Sequence, residues 1–274
     1  MTIKNIHNIL TIDVEDWYMD TDISCWTKYE DRIVTSTDRI LSILGDVKAT
    51  FFVLGYVAER HPELIKRIHD LNHELGTHGY SHKPINRLTP LQFKKELIKS
   101  IKIIKSITGE EVVCHRASNF TIMKNTSWAI DIMKNCGIKY DSSVFPVKTP
   151  LYGMPDAPLY PYQISTEHIC GGSSEGIYEL PLSVLHLPLK NIPIAGGFYM
   201  RFFPYELIKY SIKSINKNGR SAIIYLHPWE IDVEQPKIPE LKWFHYYNIH
   251  KTETRFKQLL KDFEFTSIKR WLYN

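Results

Sequence analysis

Ile9-Leu10-Thr11-Ile12-Asp13-Val14-Glu15-Asp16-Trp17 begins as an apolar, β-branched run and ends with three carboxylates in four positions. The run predicts a strand over Ile9–Ile12, and its abrupt acidic end puts Asp13, Glu15 and Asp16 at the strand's carboxyl edge. Working outward, further strands are predicted at Thr50–Leu54, Val112–His115, Tyr178–Leu180 and Ala222–Leu226. Between them, apolar residues recur every three or four positions in Ser36–Leu44, Pro62–Leu75, Thr89–Ile107, Asn125–Cys136, Pro204–Asn216 and Thr252–Lys261, the period of amphipathic helices. Strands alternating with helices predict βαβ units on a parallel sheet. Thr89 before Pro90 reads as a helix start, while Gly76, Gly109, Gly137 and Gly219 read as stops. Residues 146–200 lose the helical period and gain Pro, Gly and Tyr, which predicts an irregular excursion with a small β element inserted into one domain of 274 residues.

Composition narrows the function classes. Apolar residues at 43% and charged residues at 23% are those of a globular chain, and 34 basic against 30 acidic side chains leave only +4. No Lys/Arg tract points to nucleic acid. Cys25, Cys114, Cys136 and Cys170 form no C-x-x-C pair, so no zinc knuckle is indicated. The longest apolar run, Ala49–Ala58, is about half of what spans a bilayer. The N-terminus leads straight into the first strand without an apolar leader core, so a cytoplasmic location is expected.

Parallel α/β sheets bind ligands at the carboxyl ends of their strands, so chemistry is sought there. The acidic cluster alone has the composition of a solvated loop. Thr77-His78-Gly79-Tyr80-Ser81-His82 supplies partners: two histidines four apart would share one face of a helical turn and could reach one cation. His69 and His73 repeat that spacing within the preceding helical pattern and read as surface or packing residues. Two imidazoles and one carboxylate make a three-ligand set with open positions, suited to a hydrolytic metal. Arg116, directly after a strand, is either an exposed cation or a guanidinium that orients a carboxylate and keeps it ionised. His227, in Leu226-His227-Pro228-Trp229-Glu230, is either structural or a proton donor to a leaving group.

Taken together, Asp-Val-Glu-Asp-Trp, Gly-Thr-His-Gly-Tyr-Ser-His, His-Arg-Ala, Tyr-Asp-Ser-Ser-Val-Phe-Pro and His-Pro-Trp-Glu resemble the NodB-homology polysaccharide deacetylases, carbohydrate esterase family 4, and within them the branch of exopolysaccharide biosynthesis. The resemblance covers about residues 9 to 236. It implies an α/β fold, a distorted (β/α) barrel of seven or eight strands. It implies Asp13 as catalytic base, His78 and His82 as metal ligands, Arg116 as the residue that positions the base, His227 as general acid, and Leu226 beside the acetyl methyl. Where the family has two adjacent aspartates, Val14 follows Asp13 here, so the metal carboxylate is Glu15 or Asp16. Glu15 shares a side with Asp13 if the strand continues, whereas Asp16 needs a turn or bulge. Arg116-Ala-Ser also replaces the usual Arg-Pro-Pro, which puts the substrate contacts there in question.

The implied reaction is hydrolysis of an N-acetyl group on an amino sugar. Water activated by a divalent metal and by Asp13 attacks, and His227 protonates the leaving amine. Zinc is the expected ion, with cobalt, manganese or nickel as alternatives. A backbone N–H near Tyr140–Ser143 is expected to stabilise the oxyanion. Trp229 is expected to offer a flat face to sugar, Arg201 to contact an anionic sugar or lipid-linked phosphate, and Asp141 to back the acid or form a turn. The expected partner is an N-acetylated oligosaccharide, polysaccharide or lipid-linked sugar. The competing functions are an allantoinase-like hydrolase of small linear or cyclic amides and a carbohydrate-binding relative without catalysis.

Overall fold

The computed structural model describes residues 6–149 and 152–273. In chain order its first elements are β1 (Asn8–Val14), α1 (Ile33–Leu44), β2 (Thr50–Val53), α2 (Gly55–Arg60), α3 (Pro62–Asp70), β3 (Glu74–Thr77), α4 (Pro90–Thr108), β4 (Cys114–His115), α5 (Trp128–Asn135) and β5 (Tyr140–Asp141). There follow β6 (Tyr162–Ile164), β7 (Ile177–Glu179), β8 (Val184–Leu187), β9 (Lys190–Pro193), α6 (Gly197–Phe202), α7 (Tyr205–Lys217), β10 (Ile223–Leu226), α8 (Trp243–Tyr246), α9 (Thr252–Asp262), β11 (Phe265–Thr266) and α10 (Ile268–Leu272). The fold is mixed α/β, as the alternation predicts.

The described residues form two compact units. One holds the chain up to Phe51, Asn72–Glu74 and everything from Ile194 onward; the other holds Phe52–Leu71 and Leu75–Pro193. In the first unit β1 lies parallel to β10, with Ile9 opposite Ile223 and Ile12 opposite Leu226, and β11 pairs in parallel with the start of β1. All seven residues of β1 are buried, so the strand carries apolar side chains on both faces, as a covered parallel strand must. Around it the amphipathic helices α1, α7 and α9 bury Ile40 and Leu44, Ile208 and Ile212, and Phe256 and Leu259.

In the second unit β3, β4, β5 and β7 run parallel in that order, and β6 pairs antiparallel with β7. Phe93, Leu97, Ile130, Met133, Val144, Ile164 and Ile177 belong to its core. The expected caps of α4 are present: Thr89 Oγ accepts from Gln92 N, Gln92 Oε1 accepts from Thr89 N, and Gly109 closes the helix at φ 75°. Within 146–200 the β content is two antiparallel pairs, β6 with β7 and the β8–β9 hairpin.

One boundary differs from expectation. α3 stops at Asp70 and the chain turns at Asn72, φ 59°, into β3, so Gly76 is a strand residue and no helix stop. A Cβ at Gly76 would meet the Phe52 ring at 2.7 Å and Cys114 O at 3.0 Å, so glycine is needed for strand packing.

Candidate active site

Register places the first group. Because Ile12 pairs with Leu226, the next residues, Asp13 and His227, leave parallel neighbouring strands at one level. His227 Nε2 lies 4.0 Å from Asp13 Oδ2 and 3.8 Å from Glu15 Oε2, and one donor atom from each of the three falls within 4.8 Å of the others. Asp13 and Glu15 are both buried. Burial opposes charge on the His227 ring, but Glu15, Glu230 and Asp13 outweigh it and push its pKa up to about 9.

Behind His227 stands a carboxylate to which the sequence motif had given no catalytic role. Glu230 Oε2 accepts from His227 Nδ1 at 3.0 Å and from its backbone N–H at 3.1 Å. Burial raises the Glu230 carboxyl, but Arg201 and His227 overcome it and bring the pKa down to about 2. Arg201, expected to touch an anionic ligand, is 1% exposed and fully engaged inside the protein. It pairs with Glu230 and donates to Tyr247 O at 2.7 Å and to Phe244 O and His245 O at 3.1 Å. Trp229, expected to face sugar, is 8% exposed and stacks between His227 and His245 with interplanar angles of 19° and 8°. Leu226 is wholly buried on β10.

Asp16 has a different occupation from its neighbours. Its Oδ1 accepts from Trp17 N at 2.8 Å, and its Oδ2 from Arg32 N at 2.7 Å and Ile33 N at 3.0 Å, so both oxygens serve backbone N–H groups around the start of α1. Burial lifts its pKa to about 6, and those three N–H bonds limit the rise. Asp16→Ala leaves three N–H groups without their acceptor and should cost about 3 kcal/mol, at roughly 1 kcal/mol per lost bond. Urea unfolding of the variant checks this, and a loss under about 1 kcal/mol would contradict it.

In the second unit His78 and His82 are both buried, with ring centroids 5.4 Å apart. The spacing of four predicted a helical turn. The structure has instead a loop, bent by Gly79 at φ 75° and His82 at φ 55° and held by Ser81 Oγ on the Glu96 carboxylate. His78 Nδ1 is 2.7 Å from Arg116 O, an acceptor only, so Nδ1 carries the proton. His73 packs on Phe51 and accepts from Ala49 N through Nδ1, in keeping with the packing role read for it.

Arg116 is completely buried. Its Nε donates to Ser142 O at 2.7 Å and its Nη2 to Ser142 Oγ at 2.8 Å, and its guanidinium covers the Phe52 ring at 4.4 Å. The N–H groups of Tyr140, Ser142 and Ser143, expected near an oxyanion, are spent on Val113 O, His115 O and Glu179 Oε1. Asp141 takes neither expected role: its Oδ1 binds His115 Nδ1 at 2.7 Å and accepts from Ser143 Oγ. Tyr140, beside it on β5, is half-buried.

Asp141 and Glu179 are register partners on β5 and β7, and Asp141 Oδ2 and Glu179 Oε2 are both buried without a hydrogen-bond donor. Burial first, and then the Asp141 charge, hold the Glu179 carboxyl well above its usual range. A folded-state pKa above the unfolded one gives stability that is full at low pH and is lost as pH rises through the folded value. Unfolding free energy should therefore fall as pH climbs from about 4.5, with a slope of up to about 1.4 kcal/mol per unit. Glu179→Gln, whose amide oxygen still accepts from Ser143 and Val144, should flatten that slope; an unchanged profile would contradict the account.

Residues 20–140 match the family described as polysaccharide deacetylase, and residues 142–273 match one described as a domain of unknown function, DUF3473. The chain is 29% identical to a peptidoglycan-N-acetylglucosamine deacetylase of Bacillus cereus over 39% of its length and 44% of the relative's. It is 34% identical to a peptidoglycan deacetylase of Helicobacter pylori over 35% of its length and 32% of the relative's. The chain thus spans less than half of either. Among solved structures, the Bc1960 peptidoglycan N-acetylglucosamine deacetylase superposes with a TM-score of 0.52 at 18% identity, covering 98% of this chain and 89% of that one. That likeness confirms the fold class, mixed α/β on a curled parallel sheet. No helix among the described residues is long and apolar enough to cross a membrane.

Proposed function

We propose, from the support that family model and relatives give to a place among the polysaccharide deacetylases, that this chain hydrolyses N-acetyl groups on amino sugars of a bacterial polysaccharide or its precursor. The observation that carries the reading is the grouping of Asp13, Glu15 and His227, a base and an acid on adjacent strand ends with a second carboxylate between roles.

The donors fit a divalent cation. The residues that the family resemblance assigns as ligands, Glu15, His78 and His82, would supply one carboxylate and two imidazoles. Asp16 is engaged by backbone N–H groups, which supports Glu15 as the metal carboxylate. Zinc suits this set, and cobalt, manganese or nickel would be accepted by the same atoms. A cation there supplies Lewis acidity, polarising the acetyl carbonyl and acidifying water. Asp13 removes the proton from the attacking water, with Arg116 assigned to orient the base. His227 delivers its Nε2 proton to the departing nitrogen as the C–N bond breaks, because an amide anion is too poor a leaving group to depart alone. The products are acetate and a free amino sugar. Leu226 borders the acetyl methyl, and Arg201 serves Glu230 and not an anionic ligand.

Acetate release from N-acetylated oligosaccharides and lipid-linked sugars tests the reading. Release that stops with a chelator and returns with zinc or cobalt is expected. Ureide hydrolysis without acetate release would favour a small-amide hydrolase, and sugar binding without either product a binding protein.

A further inference from the structure

The His227 side of the site is built from three separated segments. Glu230 and Arg201 are each 1% exposed, and the two oxygens of Glu230 are divided, Oε2 to His227 and Oε1 to Arg201. Space for the carboxylate is supplied by Gly197, where a Cβ would lie 2.1 Å from Oε2 and 2.6 Å from Oε1. The other N–H groups of Arg201 end on the carbonyls of Phe244, His245 and Tyr247, so the guanidinium cannot swing away without stranding them. Burying an ion pair so completely is a poor way to gain stability, since apolar residues of like volume do as well or better. Through the same Oε2, Glu230 also accepts the backbone N–H that starts its own short turn, Pro228–Ile231.

We infer that Glu230, clamped by Arg201 in the space left by Gly197, is the positioning residue of the general acid, fixing the proton of His227 on Nδ1 and aiming Nε2–H toward the carboxylate-lined side where the amide nitrogen must leave. The inference rests on the reading of His227 as the acid. Loss of ring orientation is told apart from loss of the turn by a substrate whose leaving group needs no proton. In Glu230→Gln the amide oxygen faces Arg201 and the NH2 replaces Oε2, so Nδ1 becomes an acceptor and the His227 backbone N–H loses its own.

The test compares an N-acetylated chito-oligosaccharide, whose amine needs a proton to leave, with 4-nitrophenyl acetate, whose phenolate leaves without one. Glu230→Gln should lower kcat on the amide by about 10²-fold, with KM within about threefold, and should leave the aryl ester rate within about threefold. Gly197→Ala, which displaces the carboxylate without removing its charge, should show the same selectivity. Equal losses on both substrates, or an undiminished amide rate, would overturn the inference. Nitrogen-15 spectra of the His227 ring add a readout independent of turnover: Nδ1 protonated in the wild type and unprotonated in Glu230→Gln is expected, and the same Nδ1 state in both overturns the role. Should the wild type release no acetate, the deacetylase reading fails, while the ring spectra still decide whether Glu230 sets the state of His227.

Discussion

Asp13→Asn should lower kcat for acetate release by about 10³-fold, within the range by which a positioned base contributes to catalysis, and should leave metal binding unchanged. Asparagine has the volume of aspartate and keeps one acceptor oxygen, so the buried end of β1 should stay packed, but it cannot take a proton from water. The same substitution removes one of the charges that hold the His227 ring cationic, so the alkaline limb should move to lower pH. Rates within about threefold of wild type would take the base role from Asp13.

The second large effect concerns the ligands. His82 has φ 55°, a conformation that costs most residues energy but that asparagine adopts readily, so His82→Asn removes an imidazole without imposing the backbone strain that alanine would. Bound zinc should fall from about one ion per chain to a small fraction of that, and turnover should fall with it by about 10³-fold or more. His78→Ala should do the same, and the double variant should be no worse than either single one, because the two rings act as one unit. Urea unfolding of the metal-free wild type and of His82→Asn should coincide. Metal retained in full by His82→Asn, or activity surviving its loss, would contradict the proposed ligand set.

What could be read from the chain was local or periodic. β1 and its acidic end, the six amphipathic helices and the caps of α4 follow from patterns within about 20 residues, and α1, α3, α4, α5, α7 and α9 stand at the six expected places, whereas the short helices α2, α6, α8 and α10 were not foreseen. β3 was hidden because Glu74-Leu75-Gly76-Thr77 has little β-branched character and continues the apolar period of α3, so only the left-handed Asn72 separates them. The His78 and His82 pair was visible, but its geometry was not, since i,i+4 spacing reads as helix and the loop depends on positive φ at two residues. Asp16 could not be told from Glu15 because its partners, Arg32 and Ile33, lie 16 and 17 residues on. Glu230 stood in plain view, and the Pro228-x-Glu230 pattern signals a capped turn. The ion pair that gives Glu230 its place comes from Arg201, 29 positions earlier, and no local pattern joins the two.

The central claim is that one carboxylate and two imidazoles share a single cation, and X-ray absorption at the zinc edge of the zinc-loaded protein addresses it directly. Only nitrogen and oxygen neighbours at about 2.0–2.2 Å, with the outer-shell scattering of two imidazoles, are expected. Sulfur neighbours at about 2.3 Å, or a spectrum without imidazole scattering, would contradict it.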